Sequence, residues 1–225
     1  MNPVIEAQAG GPQESAPQRR RVVVSVLTLA AGSLALAWTT RVEPGDRTFY
    51  VAGFVLAGIW AAGALMSGPL HLGRPRSEGN RVRTVTQAVA VGSALLAVFL
   101  LGGLIVSRLA VLREPVEHLL AHGRSDALAV VLVVTAVNGV AEELYFRGAL
   151  YAALPAHRAV VGTTLIYAAV TAVSGIVLLA FAALVLGAVT AIQRRRTDGI
   201  LAPIVTHLIW SLGMVALLPP VLGAS

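Results

Sequence analysis

The sequence predicts an all-α fold, a polytopic integral membrane bundle of about seven transmembrane helices. Hydrophobic residues make up 56% of the 225 residues and charged residues only 12%, whereas soluble domains carry about 25% charged residues. The mean hydropathy is +0.79, and the charged residues interrupt long uncharged runs. That arrangement is typical of loops beside a bilayer, so the sequence excludes an ordinary soluble enzyme.

The charged and sulfur-containing residues limit the chemistry and the partners further. All 17 basic residues are arginines, and the net charge is +6. Nucleic-acid binding needs a basic face, but these arginines punctuate hydrophobic runs, so we expect the lipid bilayer and not nucleic acid as a partner. The chain has no cysteine, which excludes disulfide frameworks, thiolate catalysis and cysteine-ligated zinc.

The first predicted span follows a polar N-terminal segment. Residues 1–18 are rich in Gly, Pro, Gln, Ser and Ala, a composition that predicts a disordered cytoplasmic tail. The uncharged run Val22–Thr40 follows Arg19–Arg21 and is long enough to cross the hydrocarbon core. A cleavable signal peptide is the alternative, because Ala35-Leu36-Ala37 resembles a small-x-small cleavage site.

Six further spans are predicted along the chain. Three correspond to separate uncharged runs, Thr48–Leu70, Thr84–Ser107 and Ala127–Ala141. The run Ala159–Gln193 would be about 52 Å long as one helix, more than a span needs, so we expect Ser174-Gly175 to divide it into a short helix (about 159–173) and a full one. The last span ends near Pro219-Pro220, and residues 114–123 are predicted to form an interfacial amphipathic turn.

The arginines of the short loops predict the orientation. Eleven of them fall on the side of the N-terminus: Arg19–Arg21, Arg74, Arg76, Arg81, Arg83, Arg158 and Arg194–Arg196. Five fall on the other side: Arg41, Arg47, Arg108, Arg113 and Arg124. The N-terminus is therefore predicted to be cytoplasmic and the C-terminus outside. The run 194–196 is interpreted as a stop-transfer anchor that can also touch anionic lipid.

One cluster of charged residues lies where spanning segments rarely keep them. Glu142, Glu143 and Arg147 end an apolar helix that continues into the apolar stretch Ala149–Leu154. Glu143 and Arg147 are four residues apart, in the favourable order for a helical ion pair. Glu142 is rotated by about 100° from Glu143 on a helix, so it is the carboxylate left free to act as a general base. The alternative is a structural ion-pair network that seals a helix end.

His207 is the second isolated polar residue in an apolar run. Counting at about 1.5 Å per residue from the span boundaries puts Glu142 and His207 at similar depths, about 8–10 Å from the inner face. We therefore expect both to face a cavity open to the cytoplasm, although His207 taken alone also fits a hydrogen-bonded packing residue. The remaining histidines are interpreted as interfacial: His71, His118, His122 and His157.

Two motifs resemble those of the CPBP family, the CAAX prenyl protease 2 and bacteriocin-processing intramembrane endopeptidases. The first is Glu142-Glu143-x-x-Phe-Arg147-Gly, and the second is Gly-Ile-Leu-Ala-Pro-x-x-x-His207. The resemblance covers roughly Asp126–Pro219, so with the tail 1–18 the chain divides into N-terminal transmembrane helices 19–125 and a CPBP-like intramembrane protease core 126–225. It implies that Glu142 activates water, that His207 helps to stabilise the oxyanion, and that Glu143 and Arg147 support the carboxylate.

The sequence departs from the family pattern at two positions. The middle motif Phe-x-x-x-His is replaced by Tyr167-x-x-x-Thr171, and Ser211 stands where the family has an asparagine four residues after the late histidine. No cofactor is predicted. A divalent metal held by Glu142 and His207, with Glu143, is the alternative, but adjacent glutamates on one helix diverge too far for a good tetrahedral set.

The leading functional prediction is an intramembrane endopeptidase that cleaves a membrane protein or peptide near the cytoplasmic face. The alternative is a catalytically reduced CPBP-like scaffold that binds partner membrane proteins, which the replacements at Thr171 and Ser211 favour. A transporter is disfavoured, because transporters are typically built from internal repeats and carry intramembrane charges on several helices, and the sequence shows neither feature. The Ala, Val, Gly and Arg bias and the absence of lysine favour a bacterial plasma membrane. The sequence carries no signal of oligomeric state.

Overall fold

The protein is helical throughout the part of the chain that the structure describes. The computed structural model describes residues 16–43, 46–70, 78–121 and 128–223. Its α-helices are α1 Ala16–Thr39, α2 Thr48–Ser67, α3 Glu78–Val106, α4 Ala110–Leu120, α5 Leu128–Glu143, α6 Tyr151–Ala153, α7 Ala159–Ala172, α8 Val177–Thr197 and α9 Leu201–Val221. A π-helix, Leu144–Leu150, connects α5 directly to α6.

Six helical segments are long and apolar enough to cross a membrane: Ala16–Thr39, Thr48–Ser67, Arg81–Val106, Leu128–Ala153, Val177–Thr197 and Leu201–Val221. The seventh predicted span, α7, has 14 residues, about 21 Å at 1.5 Å per residue, which is short of the hydrocarbon thickness. Large apolar side chains such as Leu34, Leu65 and Ile105 are more than two-thirds exposed, as lipid-facing residues are. The polytopic helical membrane class is therefore confirmed.

Three details of the predicted elements are settled by the structure. The break at Ser174-Gly175 is confirmed, because α7 ends at Ala172 and Gly175 adopts φ 78° in the turn before α8. The amphipathic segment predicted at 114–123 is instead a helix, Ala110–Leu120. The predicted tail 1–18 is too long by three residues, because α1 already begins at Ala16; residues 1–15 lie outside the described part.

An aromatic cluster packs the N-terminal helices against the helix that carries the candidate site. Trp60 of α2 stacks on Tyr145 and Phe146 of the π-helix, with ring centroids 4.7 Å and 5.2 Å away. The Tyr145 hydroxyl donates a hydrogen bond of 2.5 Å to the Ser25 carbonyl of α1. All three rings are almost fully buried, so α1 and α2 form a fixed wall behind residues 142–147.

Helix α9 is a second neighbour of α5. It packs against both α5 and α3, and the Thr206 hydroxyl donates to the Ala88 carbonyl of α3 at 3.0 Å. Gly139 of α5 faces His207 directly, because a Cβ there would be in ordinary van der Waals contact with His207 Cδ2 at 3.5 Å. The fold thereby brings His207 against the end of α5.

Candidate functional site

The two glutamates lie at the junction between α5 and the π-helix, in very different surroundings. Glu143 is fully buried, whereas 18% of the Glu142 side chain is exposed. The junction itself is unusual, because π-turns inside α-helices are rare and occur frequently at functional sites. Adjacent residues of one helix point about 100° apart, so the two carboxylates face different neighbours.

Glu143 is the centre of a buried ion-pair network. Its Oε1 accepts a hydrogen bond from Arg147 Nη1 at 3.0 Å, and the same oxygen lies 2.8 Å from His207 Nδ1. Arg147 is fully buried and His207 almost so. A carboxylate paired with arginine is an acceptor, so the contact requires the imidazole proton on Nδ1 and leaves Nε2 directed away from Glu143. The predicted Glu143–Arg147 pair is confirmed.

Glu142 has a different set of partners. The Tyr167 hydroxyl of α7 donates to Glu142 Oε2 at 2.6 Å, a length typical of a hydroxyl bound to an ionised carboxylate. His207 Nε2 lies 4.0 Å from the same oxygen, which is beyond hydrogen-bond distance. The imidazole thus lies between the two carboxylates, bonded to Glu143 and adjacent to Glu142.

The Tyr167 ring is enclosed on several sides. The Arg147 guanidinium carbon lies 4.8 Å from its centroid, and the Phe146 ring centroid is 4.7 Å away. A Cβ on Gly187 of α8 would lie 3.2 Å from Tyr167 Cδ1, so the absence of a side chain there makes room for the ring. Only 7% of Tyr167 is exposed.

The two substituted motif positions are both buried. The Thr171 hydroxyl donates to the Tyr167 carbonyl of its own helix at 2.9 Å, a common way for threonine to satisfy its hydroxyl. Ser211 follows His207 by one turn of α9, and its Oγ has no hydrogen-bond partner among the described residues. Thr171 therefore uses its hydroxyl locally, while the Ser211 hydroxyl is buried without a partner among the described residues.

Arg194 belongs to this region although its sequence pattern predicted a membrane anchor. Its side chain is 6% exposed, and its Nε donates to the Arg147 carbonyl at 3.0 Å. Its Nη1 pairs with Asp198 Oδ1 at 3.2 Å, and its guanidinium covers the Tyr151 ring at 5.0 Å. The stop-transfer anchor predicted for 194–196 therefore does not describe the buried Arg194, whereas Arg195 and Arg196 are exposed.

The other histidines do not join the cluster in the described residues. His118 and His157 are exposed, and His118 Nε2 lies 3.8 Å from Glu43 Oε2. His71 and His122 lie outside the described part of the chain. Within residues 16–43, 46–70, 78–121 and 128–223, no group of three or more His, Cys, Asp or Glu side chains is arranged to hold a metal ion.

The fold and this cluster define a polytopic membrane protein with a buried Glu–Arg–His network beside a partly exposed glutamate. Residues 124–213 match the family model of the type II CAAX prenyl endopeptidase Rce1-like proteins. The matched segment contains Glu142, Glu143, Arg147, Thr171, His207 and Ser211. The segment that carries the site is therefore similar to this endopeptidase family, the resemblance that the two motifs predicted. Comparison with curated proteins and with solved structures gave no match.

Two residues of the site were not identified from the sequence. Tyr167 was noted only as the aromatic residue of a diverged motif, and its hydroxyl is the feature that a phenylalanine lacks. Arg194 lies on a stripe of α8 with buried Ala183, Gly187 and Thr190, at the three- and four-residue spacings of one helix face. That spacing is the signal that could have separated Arg194 from its two exposed neighbours.

Proposed function

We propose that the protein is an intramembrane endopeptidase in which Glu142 activates water to cleave a membrane-associated protein or peptide near the cytoplasmic face. The observation that carries the proposal is the contrast between the two carboxylates: Glu142 is reachable, and Glu143 is sealed into the Arg147–His207 network. The Rce1-like match supports the same reaction class.

In the proposed reaction Glu142 accepts a proton from a water molecule, and the hydroxide attacks the scissile carbonyl carbon. The proton then passes from Glu142 to the leaving nitrogen, so the carboxylate is regenerated and one water is consumed per peptide bond. His207 Nε2 is 4.0 Å from Glu142 Oε2, so a protonated His207 beside the general base is a candidate donor to the developing oxyanion. The unpartnered Ser211 hydroxyl is a second candidate donor.

Glu143 and Arg147 have a supporting role in this proposal. Glu143 fixes the imidazole of His207 through Nδ1, as an orienting carboxylate does for a catalytic histidine. Arg147 neutralises Glu143 at 3.0 Å, which keeps that carboxylate from competing for the water proton. Neither residue needs to touch the substrate.

A second candidate function is a membrane scaffold that retains the network as architecture. The observation that favours it is Thr171, which replaces the histidine of the family motif. Its hydroxyl is bonded within α7 and does not reach Glu142. A scaffold would bind partner membrane proteins without cleaving them. We propose no cofactor for either function, and a metal at Glu142 and His207 stays the less favoured alternative.

The test compares wild type with Glu142→Gln on a panel of fluorogenic peptides anchored in liposomes. We expect wild type to cleave at least one peptide, and Glu142→Gln to lose about 10²–10⁴-fold in rate, the usual contribution of a general base, without a lower melting temperature. Glu117→Gln, on a partly exposed ion pair of α4, is the control and should keep full activity. Full activity of Glu142→Gln would exclude the mechanism, and a wild type inactive on the whole panel would favour the scaffold.

The proposed location is a bacterial plasma membrane with the N-terminus cytoplasmic and the C-terminus outside. Because the chain has no cysteine, single-cysteine variants give a clean labelling test at exposed positions. We expect Arg195→Cys to react with an impermeant maleimide only from the cytoplasmic side, and Asp46→Cys only from outside. Equal labelling of both positions from one side would contradict this topology.

A further inference from the structure

The Tyr167 hydroxyl is the shortest side-chain contact of Glu142 that the structure shows, and the site described above gives it no role in the reaction. It donates to Oε2 at 2.6 Å across two helices, α7 and α5. Glutamate has three rotatable side-chain bonds, and a partly exposed carboxylate would otherwise sample several rotamers. A general base has to lie within hydrogen-bond distance of the proton that it abstracts, so something must fix this carboxylate.

The surroundings of Tyr167 fix its ring with respect to Glu142. Arg147 covers the ring at 4.8 Å and Phe146 packs at 4.7 Å, while Gly187 leaves the space that the ring occupies. A Cβ at Gly187 would also lie 3.4 Å from Arg147 Nη2. Arg147, Phe146 and Gly187 therefore determine where the Tyr167 ring lies. Its hydroxyl is thereby placed to donate to Glu142.

The other two candidates for this task do not reach Glu142. Thr171, one turn further along α7, uses its hydroxyl on the Tyr167 carbonyl at 2.9 Å. His207 uses Nδ1 on Glu143 at 2.8 Å, and its Nε2 is 4.0 Å from Glu142. Of these three side chains, only Tyr167 is within hydrogen-bond distance of the partly exposed carboxylate.

We propose that Tyr167 is the positioning residue of Glu142, with its hydroxyl occupying Oε2 so that Oε1 is the oxygen that accepts the water proton. The inference rests on the proposed peptidase function. Tyr167 neither gains nor loses a proton in the reaction; it acts through the carboxylate. Gly187 contributes to this positioning, because the absence of a side chain there leaves the space that the Tyr167 ring occupies.

The test is the kinetics of Tyr167→Phe on whichever liposome-anchored peptide wild type cleaves. Loss of a hydrogen bond to a charged group should lower kcat about 10- to 100-fold, with KM and the melting temperature close to wild type. A purely structural role would instead lower the melting temperature and leave the kcat of the folded fraction unchanged. Unchanged kcat in Tyr167→Phe, together with an inactive Glu142→Gln, would overturn the inference while leaving the proposed function intact.

Gly187→Ala gives a second test that keeps the hydroxyl. Its Cβ would force the Tyr167 ring to move by a few tenths of an ångström, so kcat should fall, but by less than the roughly 100-fold that a misplacement of 1 Å can cost. Gly58→Ala is the matched control, because no atom lies within 4 Å of a Cβ there, and its kcat should equal wild type. Equal kcat in wild type, Gly187→Ala and Gly58→Ala would show that Gly187 does not contribute to the positioning of Tyr167.

A measurement without turnover completes the test. Infrared difference spectra of wild type minus Tyr167→Phe should show a shifted carboxylate stretch, because the hydrogen bond to Oε2 is lost. The shifted band should be absent when the same pair is compared in a Glu142→Gln background. A band that persists in that background would belong to another carboxylate and would contradict the assignment.

Discussion

The hydroxyl groups of α1 and the charged and amide side chains of the C-terminal bundle find their hydrogen-bond partners in different places. In α1 the hydroxyls of Thr28, Ser33 and Thr39 donate to carbonyls four residues earlier in the same helix. Several threonines of the C-terminal bundle also bond locally, but three polar pairs there join different helices: Glu142 with Tyr167, Glu143 with His207, and Gln193 with Thr206. A helix whose hydroxyl groups bond to its own backbone can pack against a neighbour by shape. Hydrogen bonds between two helices, in contrast, fix the position of one helix relative to the other.

Shape complementarity joins the apolar faces of α1 and α2. A Cβ on Gly63 would overlap Thr28, and one on Gly32 would overlap the Trp60 ring. Small residues facing larger ones allow close approach, which drives helix association in membranes. The comparison therefore predicts that charge-removing substitutions damage the C-terminal bundle most and that volume-adding substitutions damage the α1–α2 contact most.

Removal of the Glu143 charge should have the largest effect on stability. Glu143→Gln leaves the fully buried Arg147 without its anionic partner, and breaking a buried pair costs about 3–5 kcal/mol. We expect Glu143→Gln to have a clearly lower melting temperature in detergent than wild type. Glu142→Gln should melt close to wild type in the same measurement. If Glu142→Gln melts lower and Glu143→Gln does not, the roles of the two glutamates are reversed.

The control is an Arg–Glu pair of the same i,i+4 spacing in α4. Arg113 Nε and Glu117 Oε2 are 3.6 Å apart, and both side chains are partly exposed. Exposed pairs contribute about 0–1 kcal/mol, so Glu117→Gln should melt almost like wild type. A similar loss in both variants would show that burial does not explain the effect at Glu143.

The next largest effect should come from added volume between α1 and α2. Gly63→Ala places a methyl group on Thr28, and overpacking typically costs about 1–3 kcal/mol. Gly58→Ala, on the same helix but with open space around its Cβ, should be neutral or slightly stabilising because alanine favours helix. Equal melting temperatures for the two variants would mean that α1 and α2 can separate at no cost.

The sequence predicted the parts of the site that depend on local spacing. Glu143 and Arg147 are four residues apart and pair as expected, and the break at Ser174-Gly175 follows from the length that one span can have. The matched depth of Glu142 and His207 anticipated that α5 and α9 bring them together. It did not anticipate that His207 bonds Glu143, because that depends on how α9 is rotated about its axis.

The remaining features depend on packing between distant segments. The Tyr167–Glu142 bond joins residues 25 positions apart, and its geometry follows from the space at Gly187 and the ring of Phe146. The π-helix changes the angle between successive side chains after Glu143, and no residue type in Leu144–Leu150 predicts a π-helix. Loop arginines were counted by position alone, so a buried Arg194 could not be distinguished from an exposed Arg195.

The smallest of the expected effects tests that distinction between neighbouring arginines. Arg194→Met keeps the aliphatic part of the side chain but removes the donor to the Arg147 carbonyl, and one such hydrogen bond contributes about 1 kcal/mol. Arg195→Met changes an exposed side chain and should stay within about 0.5 kcal/mol of wild type. Both variants lose one positive charge at the same end of α8, so a general effect on membrane topology or lipid binding would affect them equally. Melting in detergent separates the two explanations: a drop confined to Arg194→Met means that this arginine holds the π-helix in place from α8. Equal drops would instead support the role of the whole run 194–196 as a membrane anchor.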